Sequence, residues 1–438
     1  MTYEKRSRAA TRGHREGSDV VVSETLPSGL RLITESMPHV RSVSVGVWLK
    51  RGSRHESDAD SGVAHFVEHM LFKGTFTRSA QVIAQTIDSI GGQLDAFTAK
   101  EYAGYYIKVL DEHVPLAIDL LSDMVMHPAL APSDIEREQG VILEEIKMVE
   151  DAPDDLVHEE FSQQFWLRHP LGRPILGTPA TVSAFTSERL RSYFEQTYLA
   201  PNLVVAAAGN IEHAALRALV EQAFANLPTG VVPAAVVAPP AVTPGVVMRE
   251  KDIEQSHVCL GTVAYPQAHE GRHALFVLNT ILGGSMSSRL FQHIREERGL
   301  AYAVWSSLMT YSDAGALTIY AGCAVERVAE VIDLTLKELA VLRSTAVPDE
   351  ELRRAKDHLK GSLMLSLENT SSRMSQLARQ ELFFGRQYTL DEVLAGIEGV
   401  SAADVLGAAA DLFREGAAVA TVVGPAMDAA LSTSSLRV

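Results

Sequence analysis

Two patterns of apolar and polar residues run along this chain, and each predicts a different element. Segments such as VSVGVWL and TIYAGC alternate in the way that predicts β-strands. Longer segments repeat apolar residues every three or four positions, which is typical of amphipathic helices. The strands come in clusters and the helices in runs, so their order favours an α+β fold over a regularly alternating α/β fold.

Similar segments recur in the same order in the two halves of the chain. YYIKVLDEHVPLAIDLLSDMV has the pattern of a strand, a turn and a helix, and LTIYAGCAVERVAEVIDLTLKEL repeats it about 212 residues later. NLVVAAAGN is echoed by AAVATVVGP at a similar offset. The nearly constant offset predicts two duplicated domains, each with a mostly antiparallel sheet packed against helices, although any α+β protein repeats strand–helix units.

A proline-containing and glycine-containing segment separates the two halves. LPTGVVPAAVVAPPAVTPG, residues 227–245, lacks a run of helix formers and is predicted to be a linker. It would join a first domain at 21–226 to a second domain at 246–438. Residues 1–20 are polar and are predicted to form a disordered basic tail.

The segment GVAHFVEHMLFKGT places ionisable side chains on an otherwise apolar helix. His65, Glu68 and His69 stand at positions i, i+3 and i+4, on one face, and a polar residue at 58–61 is expected to cap the helix. Two imidazoles one turn apart can bind one transition metal, with the carboxylate beside it. The order H-x-x-E-H occurs in inverted zinc-protease signatures, whereas a single such histidine is more often a hydrogen-bonded core residue.

A second helix with carboxylates on its core-facing side is predicted in APSDIEREQGVILEEIKMVED. Ser133 and Glu136 have the spacing of a capping box. Alternating steps of three and four then define one stripe facing the core. Its members are Ile135, Glu138, Ile142, Glu145 and Val149.

A charge on a core-facing stripe requires a partner, and a bound metal is a good one. We therefore assign Glu145 as the third metal ligand and Glu138 as a carboxylate that orients a ligating histidine. The alternative for both is an ion pair with arginine or lysine. Glu136 and Glu144 lie off the stripe and are expected to face solvent.

HFVEHMLFKGT, followed by VILEEI, resembles the insulinase/pitrilysin family of zinc peptidases. The closest resemblance is to short bacterial members related to the mitochondrial processing peptidase, and it extends to GGQLDAFTAKEYAGYY, HPLGRPILGTPATVSAF and GGSMSSRLFQHIREERGLAYAV. It implies that His65, His69 and Glu145 bind one zinc ion per chain. Glu68 would be the general base that activates a zinc-bound water, and Glu138 an auxiliary carboxylate.

The second half has no H-x-x-E-H motif. ALFVLNTILGG stands where the repeat would place a metal-binding helix, and His273 is alone there, so this half is expected to serve substrate binding or closure. Arg295 and Tyr302 resemble the arginine and tyrosine that the family brings from its second half to the substrate. Taken alone, they would be a surface arginine and a core tyrosine.

The segment LDAFTA has the alternation of an exposed edge strand. The resemblance implies that this strand pairs with an extended peptide substrate through main-chain hydrogen bonds, a mode with little sequence preference. The candidate contacts are Ala96, Phe97 and Thr98, although Phe97 could instead be a core residue.

Composition narrows the partners and the compartment. The formal charge of −16 argues against nucleic acid as a partner and weakly favours basic peptides. No stretch reaches about 18 consecutive apolar residues, which argues against a transmembrane helix. The only cysteines, Cys259 and Cys323, are expected to be buried and reduced, so the protein is expected to be cytoplasmic.

The motif and the family resemblance together predict a zinc endopeptidase, and the resemblance implies that it hydrolyses short or unfolded peptides. The family's enclosing chambers have four such domains and this chain resembles two, so a homodimer is expected, with the linker as a hinge. One alternative is a non-catalytic scaffold or partner subunit of the same fold, in which metal ligands are typically lost. A metal-dependent hydrolase of a non-peptide substrate is disfavoured by the edge strand.

Overall fold

Two β-sheets, one in each half of the chain, form the framework of the protein. The computed structural model describes residues 21–230, 242–426 and Leu436. The expected tail at 1–20, and residues 231–241 of the expected linker, lie outside the described residues.

The first sheet contains six strands in the order β1-β2-β6-β3-β5-β4. These strands are β1 (Val21–Thr25), β2 (Arg31–Ser36), β3 (Ser42–Leu49), β4 (Gln93–Thr98), β5 (Ala103–Leu110) and β6 (Leu203–Gly209). The helices of this half are α1 (Val63–Leu71), α2 (Ala80–Ser89), α3 (Val114–Met126), α4 (Pro132–Asp151), α5 (Pro153–Phe165), α6 (Pro179–Val182), α7 (Ser187–Thr197) and α8 (His213–Ala223). The pair β2 and β6 is parallel and the other pairs are antiparallel.

The second sheet repeats the first with one strand fewer, in the order β7-β11-β8-β10-β9. Its strands are β7 (Gly245–Glu250), β8 (Ser256–Val263), β9 (Ala301–Thr310), β10 (Gly315–Cys323) and β11 (Val419–Gly424). The helices of this half are α9 (Arg272–Leu282), α10 (Val328–Ser344), α11 (Asp349–Ser366), α12 (Thr370–Phe384), α13 (Leu390–Glu398) and α14 (Ala402–Leu412), with a π-helical turn at Phe291–Glu296.

The two sheets have equivalent connections. The order β7-β11-β8-β10-β9 corresponds to β2-β6-β3-β5-β4, and in each sheet a parallel pair (β7 with β11, β2 with β6) stands beside antiparallel strands. The predicted α+β fold with two similar, mostly antiparallel domains is confirmed.

Each half contributes one helix to the sheet of the other half. Helix α12 packs on β2, β3 and β6 of the first sheet, where Met374 meets Trp48 in a buried apolar cluster. Helix α5 packs on β8 and β11 of the second sheet through Phe161 and Phe165. This exchange explains why β3 is buried on both faces.

Polar contacts reinforce this exchange. Arg373 of α12 donates from Nε to the buried carboxylate of Glu35 at 2.9 Å. Arg54, from the first half, donates to Glu101 at 2.6 Å and to Asp313 of the second half at 2.6 Å. Opening at the linker would expose two apolar clusters and unpair these charges, so the packing opposes the expected hinge there.

No single helix among the described residues is long and apolar enough to cross a membrane. Only α13 and α14 counted together meet the length and hydropathy criteria, and these two helices are bent by 84° at the break between them.

Because each half completes the other's core, the chain is expected to unfold as one cooperative unit. Met374→Ala removes a fully buried side chain between the halves and should lower the free energy of unfolding by about 2–5 kcal/mol. Urea titration followed by tryptophan fluorescence measures the change, with Met364→Ala on the exposed face of α11 as the control. Two separate transitions, of which only one shifts, would contradict this expectation.

Candidate metal centre and active site

Helix α1 begins with a carboxylate cap supplied from an earlier turn. The N-cap residue is Gly62, at φ 92°, and the Glu56 carboxylate accepts hydrogen bonds from the N–H groups of Gly62 at 2.9 Å and Ala64 at 2.8 Å. The expectation of a cap at 58–61 was wrong, because those residues belong to a separate 3-10 turn that Ser57 caps. A side chain at position 62 would collide with the Leu176 carbonyl oxygen, 2.7 Å from an ideal Cβ.

Helix α4 begins differently from the expectation but presents the expected stripe. The predicted Ser133–Glu136 capping box was wrong, because Pro132 occupies the first turn and the N-cap residue Ala131 has no side-chain cap. Glu138 is buried, and the side chain of Glu145 is 33% exposed. The carboxylates predicted to lie off the stripe, Glu136 and Glu144, are exposed.

The two helices bring the three predicted ligand residues together. Glu145 Oε2 lies 3.8 Å from His65 Nε2 and 3.7 Å from His69 Nε2. One donor atom from each residue lies within 4.8 Å of the others. Burial, with a smaller contribution from His69, lowers the pKa of His65 to about 3, so its imidazole is neutral and can act as a ligand.

These donors fit a tetrahedral divalent cation such as zinc. Glu145 Oε2 is a buried atom that has no hydrogen-bond partner, and no described lysine or arginine forms an ion pair with it. Zinc bonds of about 2.0–2.1 Å would set neighbouring tetrahedral ligand atoms roughly 3.3 Å apart, so small side-chain shifts would suffice. The alternative for Glu145, an ion pair with arginine or lysine, is therefore not found among the described residues.

Glu138 makes both contacts that the sequence suggested for it, one with a histidine of the metal site and one with a lysine. Its Oε1 accepts a hydrogen bond from His69 Nδ1 at 2.8 Å, and its Oε2 pairs with Lys73 Nζ at 2.6 Å. A proton on Nδ1 leaves the Nε2 lone pair of His69 directed towards Glu145. The ion pair with lysine thus holds the carboxylate that orients the histidine.

Glu68 lies beside the three donors in a cavity of about 750 Å³. Its Oε2 accepts a hydrogen bond from the Thr98 hydroxyl at 2.6 Å. Burial raises the pKa of Glu68, while the bond from Thr98 and the nearby His69 oppose that shift. A partly desolvated carboxylate with one oxygen fixed by a hydroxyl can accept a proton at the other oxygen.

Strand β4 forms one wall of this cavity and one edge of the first sheet. It pairs with β5 alone among the described strands, and Ala96, Phe97 and Thr98 all line the cavity. The Phe97 ring also packs edge-on against Trp48, with 5.3 Å between the ring centroids. Phe97 therefore belongs partly to the core, which was the alternative considered for it from the sequence.

Arg295 and Tyr302 contact each other, but they do not line the cavity that contains His65 and Glu68. The Arg295 guanidinium lies 5.2 Å from the centre of the Tyr302 ring and 4.6 Å from that of Phe291. Tyr302 is 80% exposed, and neither Arg295 nor Tyr302 is among the residues lining the cavity of His65 and Glu68.

Sequence reasoning missed the acidic surroundings of the site and its cap. Besides Glu68, the cavity is lined by Glu150, Asp155, Glu159 and Glu160. Most of these come from α5, whose polar residues signal an exposed helix face rather than a cavity wall. Glu56 is separated from the motif by several residues, so no local spacing indicated its role.

The comparisons with known proteins agree with this geometry. Residues 31–179 match the family model of insulinase, peptidase family M16, and residues 184–359 match that of the peptidase M16 inactive domain. An uncharacterized zinc protease of Bacillus subtilis (strain 168) is 44% identical over 398 residues, covering 91% of this chain and 97% of the relative. This chain belongs to the insulinase (M16) family.

Another relative of this M16 chain, an uncharacterized zinc protease of Mycobacterium tuberculosis, is 45% identical over 404 residues, or 90% of the chain and 92% of the relative. Two solved structures share the fold at 21% identity. The peptidase M16 inactive domain from Pseudomonas fluorescens has a TM-score of 0.88, covering 93% of this chain and 98% of that one. A protease from Helicobacter pylori has a TM-score of 0.85, covering 93% and 100%.

The contact between Glu138 and His69 predicts a test of metal affinity in this M16 chain. Glu138→Gln should weaken zinc binding by about 10–100-fold, because an amide is a poorer acceptor for His69 and a poor partner for Lys73. Competition with a chromophoric chelator measures the affinity. The matched control is Glu136→Gln on the exposed side of the same helix, and equal affinities in the two variants would contradict the orienting role.

The Glu56 cap predicts a loss of stability. Glu56→Ala leaves the N–H groups of Gly62 and Ala64 without their acceptor and should cost about 1–2 kcal/mol in the free energy of unfolding. Urea unfolding provides the measurement. Ser57→Ala, which removes the cap of the neighbouring exposed turn, should change stability by less than about 0.5 kcal/mol; a similar loss in both variants would refute the assignment.

Proposed function

We propose that this chain is a zinc-dependent endopeptidase. The observation that supports it best is the convergence of His65, His69 and Glu145, whose unpartnered carboxylate oxygen faces both imidazoles. His65 and Glu68 also line the same cavity. The relatives named zinc proteases support the same metal and the same reaction class. In this proposal each chain holds one zinc ion.

The residues divide the chemistry between them. Zinc, when bound by His65, His69 and Glu145, supplies Lewis-acid polarisation of a carbonyl group and of water. Glu68 accepts the proton of the attacking water and then delivers it to the leaving nitrogen of the peptide bond. The Thr98 hydroxyl holds one oxygen of Glu68, so the carboxylate does not need to reorient during the reaction.

The substrate in this proposal is a short or unfolded peptide. The free edge of β4 offers main-chain groups that an extended peptide can bind through backbone hydrogen bonds. Five carboxylates line the adjoining cavity, and this charge favours basic peptides. A segment whose main-chain groups are already paired inside a folded protein cannot bind this edge in the same way.

The proposed active form is a homodimer that encloses the peptide in a chamber. Tyr302 is exposed, and Arg295 is stacked on its ring, so the pair can reach a peptide that extends beyond the donor cavity. There Arg295 would bind a peptide carbonyl and Tyr302 would donate to a developing oxyanion. Both cysteines are buried and unpaired, which agrees with the proposed reducing cytoplasm.

The deciding experiment compares the wild type with Glu68→Gln on a quenched fluorescent peptide library. Glu68→Gln should retain zinc, because Glu68 is not among the three donors, and should lose at least about 100-fold in cleavage rate, the scale of general-base catalysis. Metal content is measured by atomic emission on the same samples. A chelator should abolish cleavage by the wild type, and zinc should restore it.

A second pair of variants tests the metal ligand on α4. Glu145→Gln should lose both zinc and cleavage, whereas Glu144→Gln, on the exposed side of the same turn, should retain both. Equal cleavage by Glu68→Gln and the wild type would reject the mechanism. Zinc binding without any peptide cleavage in the wild type would favour the non-catalytic partner subunit.

A further inference from the structure

A second cavity is lined mostly by residues of the second half and includes Phe276 of α9. In α1 the buried apolar residues are Val63, Ala64, Phe66, Val67, Met70 and Leu71. In α9 the buried apolar residues are Ala274, Leu275, Val277, Leu278, Ile281 and Leu282. The spacing is identical, so α9 is the counterpart of α1 residue by residue.

This correspondence shows what replaced the metal-binding side chains. His65, Glu68 and His69 correspond to Phe276, Asn279 and Thr280. Phe276 takes the place of His65, and the lone His273 lies three residues before it.

The same comparison holds for the helix that supplies the third donor. The buried Ile135 and Glu138 of α4 correspond to the buried Leu352 and Ala355 of α11. By the same offset, Ser362 is the counterpart of Glu145. Neither carboxylate of the first half has a carboxylate counterpart in the second.

The second cavity is open but differs in charge from the first. It has a volume of about 560 Å³, and the lining residues with basic side chains are Arg272, His273 and Arg379. Among the described residues, no carboxylate lines it, whereas five carboxylates line the first cavity. In a chain with a formal charge of −16, a cavity with this composition attracts anions.

Arg272 is held in place without a counter-ion. Its guanidinium lies over the rings of Tyr388 at 5.1 Å and Phe384 at 5.4 Å, and it donates one hydrogen bond to the His269 carbonyl at 3.4 Å. Neither Arg272 nor Arg379 forms an ion pair with any described residue. Stacking on the rings fixes the plane of Arg272 and leaves N–H donors on its edge for a ligand.

The rest of the lining selects the kind of anion. Phe276, Leu363 and Leu367 form an apolar wall, and the hydroxyls of Ser372 and Ser375 on α12 add neutral hydrogen-bonding groups. A free phosphate would leave the apolar wall uncovered. A carboxylate attached to an apolar body would satisfy both the arginine and the wall.

We propose that this second cavity binds a carboxylate with an apolar body, supplied by the C-terminal residue of a peptide. Arg272 pairs with the terminal carboxylate, and the side chain of that residue lies against Phe276. The proposal needs neither a metal nor peptide cleavage, so it stands apart from the function of the first cavity.

The test uses the full chain with Glu68→Gln, so that peptides are bound without turnover. A fluorescent hexapeptide ending in phenylalanine should bind at least about 10-fold more tightly as the free acid than as the C-terminal amide, the scale of a charge-assisted hydrogen bond. Adding Arg272→Gln should abolish this difference. Adding Arg354→Gln, an exposed arginine of α11, changes the net charge equally and should leave the difference intact.

The outcomes separate the possible ligands. Competition by N-acetylphenylalanine supports the carboxylate site and shows that a free organic acid suffices, whereas competition by longer peptide acids alone identifies a peptide terminus.

Arg379→Gln, with circular dichroism as a check of folding, substitutes for Arg272→Gln if that variant is misfolded. Equal affinity for acid and amide, or equal effects of Arg272→Gln and Arg354→Gln, overturns the proposal. Zinc content in the Arg272→Gln single variant should match the wild type, which distinguishes this outcome from failure of the metal centre.

Discussion

A carboxylate oxygen with no hydrogen-bond partner lies opposite two imidazoles between α1 and α4. Burying such an oxygen is unfavourable unless a positive charge or a hydrogen-bond donor compensates it. The surrounding residues provide no such compensation and orient further acceptor atoms towards this oxygen. Glu138 pairs with Lys73 and accepts a hydrogen bond from Nδ1 of His69, and burial lowers the pKa of His65, so each imidazole can direct the lone pair of its Nε2 towards Glu145. The site is thus pre-organised for a cation before any substrate arrives.

Sequence patterns located these donors well because each lies on a regular helix. The spacing of His65 and His69 placed both on one face, and the stripe from Ile135 to Val149 directed Glu145 towards them. The duplication was also predictable, since strand and helix segments recur at a nearly constant offset. For the donors the periodicity of single helices carried the information, and for the duplication the constant offset between segments carried it.

Features that depend on contacts distant in sequence could not be predicted in this way. Glu56 caps α1 from outside the helix, and Pro132 replaced the capping box expected at Ser133. The burial of β3 on both faces required knowing that α12 crosses from the other half. Arg295 and Tyr302 were selected by family resemblance, and within a single chain they contact each other rather than the donors.

The exchange of α5 and α12 has a consequence for the ancestry of the fold. A gene that encoded one half alone would leave an apolar sheet face bare around residues such as Trp48. A second copy of the same product could cover that face by lending its own helix, which is the arrangement of a domain-swapped pair. Fusion of two such genes would keep the swap within one polypeptide. Each copy could then change independently, one keeping His65, His69 and Glu145 and the other acquiring Arg272 and Arg379 around its own cavity.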